Sequence, residues 1–247
     1  MISKFSRNEI LTTGLVEAQM HPFRVPASPE LANEYALLPP SIYGDLLNAL
    51  GRQALARPDQ QVEESQFLGM QRGSVIFDWS PVFVGDPSRT HDAAEEVRRW
   101  FRQNPTAAAY WHTHTEQKAP SFTPDDLARA LNFSRRAIWT LLGSRDSVYA
   151  LLRTHQAREA LPPTHPMGFF NRDWDIFQAI EPLYTSDENP PDFSAVIPYL
   201  EQHGYVLYSW IQAFAGRTVP EAAANGDFYN GISLQRIIVD SSSSVVR

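Results

Sequence analysis

Apolar positions along the chain switch between helical and strand-like spacing. From Asp45, the residues Leu46, Leu47, Ala49, Leu50, Ala54 and Leu55 recur at the three- and four-residue intervals of one helix face, and the run stops near Pro58. The period then shortens. Gln66-Phe67-Leu68-Gly69-Met70 and Ser74-Val75-Ile76-Phe77-Asp78-Trp79 predict two short strands parted at Arg72-Gly73, with Pro81-Val82-Phe83-Val84 extending or following the second. Thr90 is placed to cap a helix through Ala93, Val97, Trp100 and Phe101, which stops before Asn104-Pro105. The run Ala107-Ala108-Ala109-Tyr110-Trp111-His112 reads two ways. Alanine favours a helix, whereas a short run after proline that ends in two aromatics equally fits a buried central strand. Thr123-Pro124-Asp125-Asp126 opens a helix through Leu127, Ala130 and Leu131. Residues 137–142 and 148–152, hinged at Gly143-Ser144-Arg145-Asp146, predict a hairpin.

Prolines divide what remains. Residues 1–44 carry Pro22, Pro26, Pro29, Pro39 and Pro40 without sustained periodicity and are expected to form an irregular arm wrapping the next unit. Pro162, Pro163 and Pro166 mark a second boundary. Beyond it the pattern predicts a helix around 174–183, a turn at Asn189-Pro190-Pro191, an apolar helical stretch over 193–214 and a final strand over 232–239. The expected organisation is an arm (1–44), a core (45–165) and a mainly helical C-terminal extension (166–247), in the α+β class.

Composition narrows the function. With 247 residues, 43% of them hydrophobic, the chain can bury a core without covalent staples. It has no cysteine, which removes disulfides, a thiolate nucleophile and every Cys-based zinc site. A formal charge of −7 argues against a broad grip on phosphate backbones, so no nucleic-acid partner is expected. No run approaches the ~18 apolar residues of a membrane span, and the N-terminus leads into no apolar signal-like segment. The expectation is a cytoplasmic protein with no membrane partner. Dinucleotide, P-loop and nucleophile-elbow glycine motifs are absent from the sequence.

Chemistry concentrates between Trp111 and Asp126. His112 and His114 stand two apart, so in an extended backbone both imidazoles project to one face. A loop then returns to a helix start whose first turn holds Asp126. Two imidazoles and one carboxylate leave the fourth position of a tetrahedral zinc open, which is the arrangement of a catalytic site. Zinc lowers the pKa of bound water toward ~7, and a nearby carboxylate is then needed to move protons. Each half also has a plainer explanation. A His-x-His pair is most often solvated or hydrogen-bonded, and Thr123-Pro124-Asp125-Asp126 is complete as a helix start, with Thr as cap and acids complementing the dipole.

Together the two halves resemble the JAMM motif of the JAB/MPN metallopeptidases, His-x-His-Pro followed by a loop and Ser-x-x-Asp. His112-Thr113-His114 matches the first part and Thr123-Pro124-Asp125-Asp126 the second. The resemblance covers roughly residues 45–155. It implies a mixed curved sheet flanked by helices, with His112, His114 and Asp126 as ligands of Zn2+ and water in the fourth position. Two positions depart from the family. Thr115 stands where many members carry proline, and Thr123 stands where the family serine helps bind the polarised carbonyl oxygen; threonine keeps the hydroxyl, and Ser121 is the alternative source at a spacing that fits less well. Tyr110-Trp111-His112-Thr113-His114 without proline is closer to a bacterial branch of toxin-like or effector-like proteins, which implies export by a signal-peptide-independent route as the alternative to the cytoplasm.

The resemblance also requires a glutamate on an upstream strand as general acid and base. Glu63 and Glu64 both precede Phe67-Leu68-Gly69-Met70. Members typically show Glu, a small residue three later, then two apolar residues. Counting from Glu63 puts Phe67 and Leu68 at the apolar positions but Gln66 at the small one; counting from Glu64 puts Leu68 and Gly69 there. Glu63 is preferred and both stand, because adjacent strand residues face opposite ways and only one reaches the metal. The plainer reading is two solvated acids at a strand entry.

The expected function is therefore a zinc-dependent hydrolase of amide or isopeptide bonds in a peptide or protein substrate, with a non-catalytic JAB/MPN-like binding or scaffold module as the alternative. His21, His91, His155, His165 and His203 are isolated in sequence and are expected at the surface or satisfied in the core. The aromatic-rich C-terminal third, including Trp174, Tyr199, Tyr205, Tyr208 and Trp210, is expected to be core or the dock of a protein partner.

Overall fold

The structure is a computed structural model and describes residues 25–70, 77–87, 99–100, 106–133, 137–157, 176–184, 192–210 and 217–239. In chain order these form β1 (Tyr35–Leu38), α1 (Pro40–Tyr43), α2 (Leu46–Leu55), β2 (Glu64–Met70), β3 (Phe77–Trp79), β4 (Phe83–Val84) and β5 (Thr106–Thr113). Then follow α3 (Pro124–Phe133), β6 (Trp139–Gly143), β7 (Val148–Arg153), α4 (Val196–Gln202), β8 (Tyr205–Trp210), α5 (Val219–Ala224) and β9 (Ile232–Arg236). The turn at Arg72-Gly73, most of the helix expected from Thr90, the boundary at Pro162, Pro163 and Pro166 and the turn at Asn189-Pro190-Pro191 lie outside the described residues.

The strands make one mixed, open sheet in the order β1-β9-β8-β7-β6-β5-β2-β3, with β4 also pairing β2. Every neighbouring pair is antiparallel except β5 and β6, which α3 connects as a parallel crossover. That parallel step, the one among the described strands, positions the candidate site. It places the carboxyl end of β5 beside the amino end of α3, the crevice where α/β sheets commonly bind ligands.

Alternation along the central strands fills a core on each face. Trp111, Leu141, Ala150, Val206 and Tyr208 pack with α1, α2 and α5 through residues such as Ile42, Leu46, Leu50 and Val219. Their neighbours Leu142, Leu151, Tyr205 and Leu207 pack with α3 and α4 through Leu127, Leu131, Val196 and Leu200. Strands β6 and β7 are buried at every position, as expected of strands covered on both faces.

Several sequence expectations change here. The ambiguous run after Pro105 is strand, because Ala109, Tyr110, Trp111 and His112 ladder between β2 and β6 at the middle of the sheet. The helical stretch expected over 193–214 divides. Helix α4 ends at Gly204, whose φ is +83° and whose missing side chain lets it lie against the backbone of Ala157, and β8 follows. A continuous apolar run buried on both faces of a sheet has the same composition as a buried helix, and only pairing separates them. Part of the proline-rich N-terminal stretch is also regular: β1 pairs β9, Tyr35 opposite Gln235, and Tyr208 donates its hydroxyl to the Asn33 carbonyl at 2.7 Å. The helix expected around 174–183 is helical at 176–180 and continues as a 3-10 turn at Glu181–Leu183. Among the described residues no helix is long and apolar enough to cross a membrane.

Candidate metal centre

Strand β5 ends at the site. Because Trp111 points to the α2 face, His112 points to the α3 face, where its ring stacks on Tyr110 and approaches Phe122 and His114. Thr113 points back to the α2 face. Its hydroxyl oxygen accepts hydrogen bonds from Gln53 Nε2 at 2.7 Å and from the Glu64 backbone N–H at 3.0 Å, which fixes the residue between the two histidines. His114 continues the strand edge, its N–H donating to the Gly143 carbonyl.

Asp126 arrives from the first turn of α3. Thr123 is the N-cap, and the pair forms a reciprocal box. The Asp126 N–H donates to Thr123 Oγ1 at 3.2 Å, while the Thr123 N–H (2.8 Å) and hydroxyl both donate to Asp126 Oδ2. The helix start and the metal-site reading are thus one arrangement: the cap fixes the carboxylate that faces the histidines. Asp126 Oδ1 stands 3.3 Å from His112 Nε2, and Oδ2 stands 3.2 Å from His114 Nε2. These ligand atoms all lie within 4.8 Å of one another, a group that could hold a metal ion.

The donor set fits a metal by an independent criterion. His112 Nδ1 is buried without a hydrogen-bond partner, and the two buried Nε2 atoms meet only the Asp126 carboxylate, at contacts that lack hydrogen-bond geometry and that an ion between them would satisfy. His114 Nδ1 lies 2.8 Å from the Ala119 carbonyl, which can only accept, so the proton of the neutral ring sits on Nδ1 and the Nε2 lone pair faces the site. Two imidazoles and a carboxylate suit zinc and several other divalent transition metals. Burial alone would raise the Asp126 carboxyl, but the two facing imidazoles more than reverse this and hold it well below the ordinary carboxylate range. Burial disfavours charge on His114 too, yet Asp126 and the Ala119 carbonyl lift it above the usual imidazole value against the opposing Lys118.

The two candidate glutamates separate by face. Ser65 pairs with His112, and antiparallel partners project to the same side. Glu63, two residues before Ser65 and still bonded to the β4 side through its backbone, shares that face with the histidines, where it is buried and ion-paired to Lys118. Glu64 faces α2, where Arg52 grips both carboxylate oxygens. Glu63 lies outside the His112, His114 and Asp126 group.

Residues remote in sequence hold the loop between His114 and Asp126. Ser144 and Ser147 donate to the Pro120 carbonyl at 3.1 and 2.6 Å. Tyr184 donates its hydroxyl to the Phe122 carbonyl and accepts from Ser121 at 2.9 Å. Sequence reasoning missed these supports, and no local spacing marks them. Comparisons with protein-family models, curated proteins and solved structures returned no match.

Proposed function

We propose that this chain is a zinc-dependent hydrolase of amide or isopeptide bonds in a peptide or protein substrate, with a site of the JAB/MPN type. The observation that carries this reading is the convergence of His112 Nε2, His114 Nε2 and the Asp126 carboxylate where β5 ends and α3 begins. The motif resemblance supplies the reaction class. A bound zinc ion would supply a Lewis acid that acidifies water and polarises a carbonyl. His112, His114 and Asp126 would hold it. Glu63, on the same sheet face, takes a proton from the attacking water and returns it to the leaving amine. Thr123 first orients Asp126, to which its hydroxyl donates; its second role, donating to a developing oxyanion, requires that hydroxyl to turn away from Asp126.

One observation favours the second reading, a binding module without turnover: the Glu63 carboxylate is engaged by Lys118. Lys118→Ala separates the two, since freeing a working base leaves turnover in place, whereas a module without turnover shows none in any variant.

The deciding experiment is elemental analysis of tag-free protein, wild type beside His112→Ala. About one zinc per chain, lost in the variant, is expected of this three-ligand site. A wild-type chain that stays metal-free after zinc is supplied and excess removed would overturn the proposal.

A further inference from the structure

His112 and His114 differ in how their second nitrogens are provided for. His114 gives its Nδ1 proton to Ala119, whereas His112 Nδ1 is buried without a partner. A histidine that binds a metal through Nε2 carries its proton on Nδ1 and nearly always donates it to an oxygen that fixes the ring. The rings around His112, those of Tyr110, Phe122 and His114, present aromatic surface to it.

One unspent oxygen stands across the ladder. Ser65 is opposite His112 in the β2–β5 register and so projects from the same face. It is fully buried, and its hydroxyl oxygen has no hydrogen-bond partner. A buried serine on a central strand has no packing advantage over alanine, and an unsatisfied hydroxyl costs free energy there. Two orphaned, complementary polar atoms on directly opposed residues point to one purpose. The two atoms are not hydrogen-bonded to each other in this structure; we propose that Ser65 is a positioning residue for the metal-loaded centre, where its Oγ would accept the Nδ1 proton of His112 and fix the ring with Nε2 toward the ion, the part that the Ala119 carbonyl plays for His114.

The inference rests on the metal-centre reading, and its test keeps the two apart. Zinc affinity is measured by competition with a chelating dye for wild type, Ser65→Ala and Ser65→Thr, beside denaturant unfolding of each metal-free protein. Ser65→Ala is expected to lower zinc affinity roughly 10- to 100-fold, the usual cost of losing such a partner. It should leave metal-free stability unchanged or higher, because an unsatisfied hydroxyl is removed. Ser65→Thr, which restores the acceptor, should recover most of the affinity. In zinc-loaded wild type, proton NMR should show a protected His112 Nδ1 proton that exchanges faster in Ser65→Ala. Wild-type zinc binding that is unchanged in Ser65→Ala, with the Nδ1 proton equally protected, would overturn the role of Ser65 and leave the metal centre standing. Absence of zinc binding in wild type would overturn both.

Discussion

His114 donates its Nδ1 proton to the carbonyl oxygen of Ala119 across 2.8 Å, and the loop between them is closed by that contact. The bond selects one tautomer and leaves Nε2 directed at Asp126, 3.2 Å away. The same geometry makes protons and metal compete for one nitrogen.

That competition gives a pH dependence of definite sign. The raised pKa of His114 stabilises the metal-free fold below the ordinary imidazole value of about 6.5, and the contribution is lost as pH rises through the folded value. The lowered pKa of Asp126 contributes above the ordinary carboxylate value of about 3.9 and is lost as pH falls through its folded value. In chelator, the pair should therefore favour the fold more at pH 5 than at pH 8, and His114→Ala should flatten this difference. Zinc binding should run the other way, strengthening from pH 5 to 8 as His114 deprotonates. Urea titrations with and without zinc at both pH values check both signs.

Glu63 and Glu64 should behave as unlike residues despite being adjacent. Glu63→Gln is expected to retain zinc and lower turnover on a cleavable peptide by roughly 10²- to 10⁴-fold, the range for loss of a general base. Glu64→Gln breaks only the Arg52 pair on the opposite face and should leave both zinc and turnover near wild type. Equal losses in the two variants would contradict the face assignment.

Thr123 serves the helix and the carboxylate together. Thr123→Ala should cost about 1 kcal/mol of stability through the lost cap, and should also weaken zinc binding because Asp126 Oδ2 loses its hydroxyl donor. Thr123→Ser keeps the same atoms and should preserve both properties. Thermal unfolding and zinc titration of the two variants measure the contrast.

Tyr184 links the segment at 176–184 to the ligand loop. Tyr184→Phe leaves the Phe122 carbonyl without its hydroxyl donor and Ser121 without its acceptor. The expected cost is about 1–3 kcal/mol, from a buried group left unsatisfied, accompanied by weaker zinc binding. Unchanged stability and affinity would mean that the segment does not support the site.

Much of the candidate site was legible because its rules are local. Two-residue spacing on a strand puts His112 and His114 on one face, and the Thr123-to-Asp126 interval is a capping box whichever tertiary fold surrounds it. The helix at Leu46–Leu55 and the hairpin of β6 and β7 were legible for the same reason: an amphipathic period in one, two apolar runs around a turn in the other. The stretch after Phe193 was not, since residues 205–208 of β8 are all buried and present no period to read.

By itself, then, the sequence determined the donor types, their order and the local geometry that lets three of them converge. Tertiary structure decided what depends on pairing between distant strands. Glu63 rather than Glu64 shares the histidine face because Ser65 sits opposite His112, a register set by packing across the whole sheet. Ser65 gained its place in the same way, and Tyr184 reaches the Phe122 carbonyl through packing of the segment at 176–184. A side chain's neighbours along the chain follow from backbone geometry, whereas its neighbours across a sheet follow from which register buries the most apolar surface with every buried polar group accounted for.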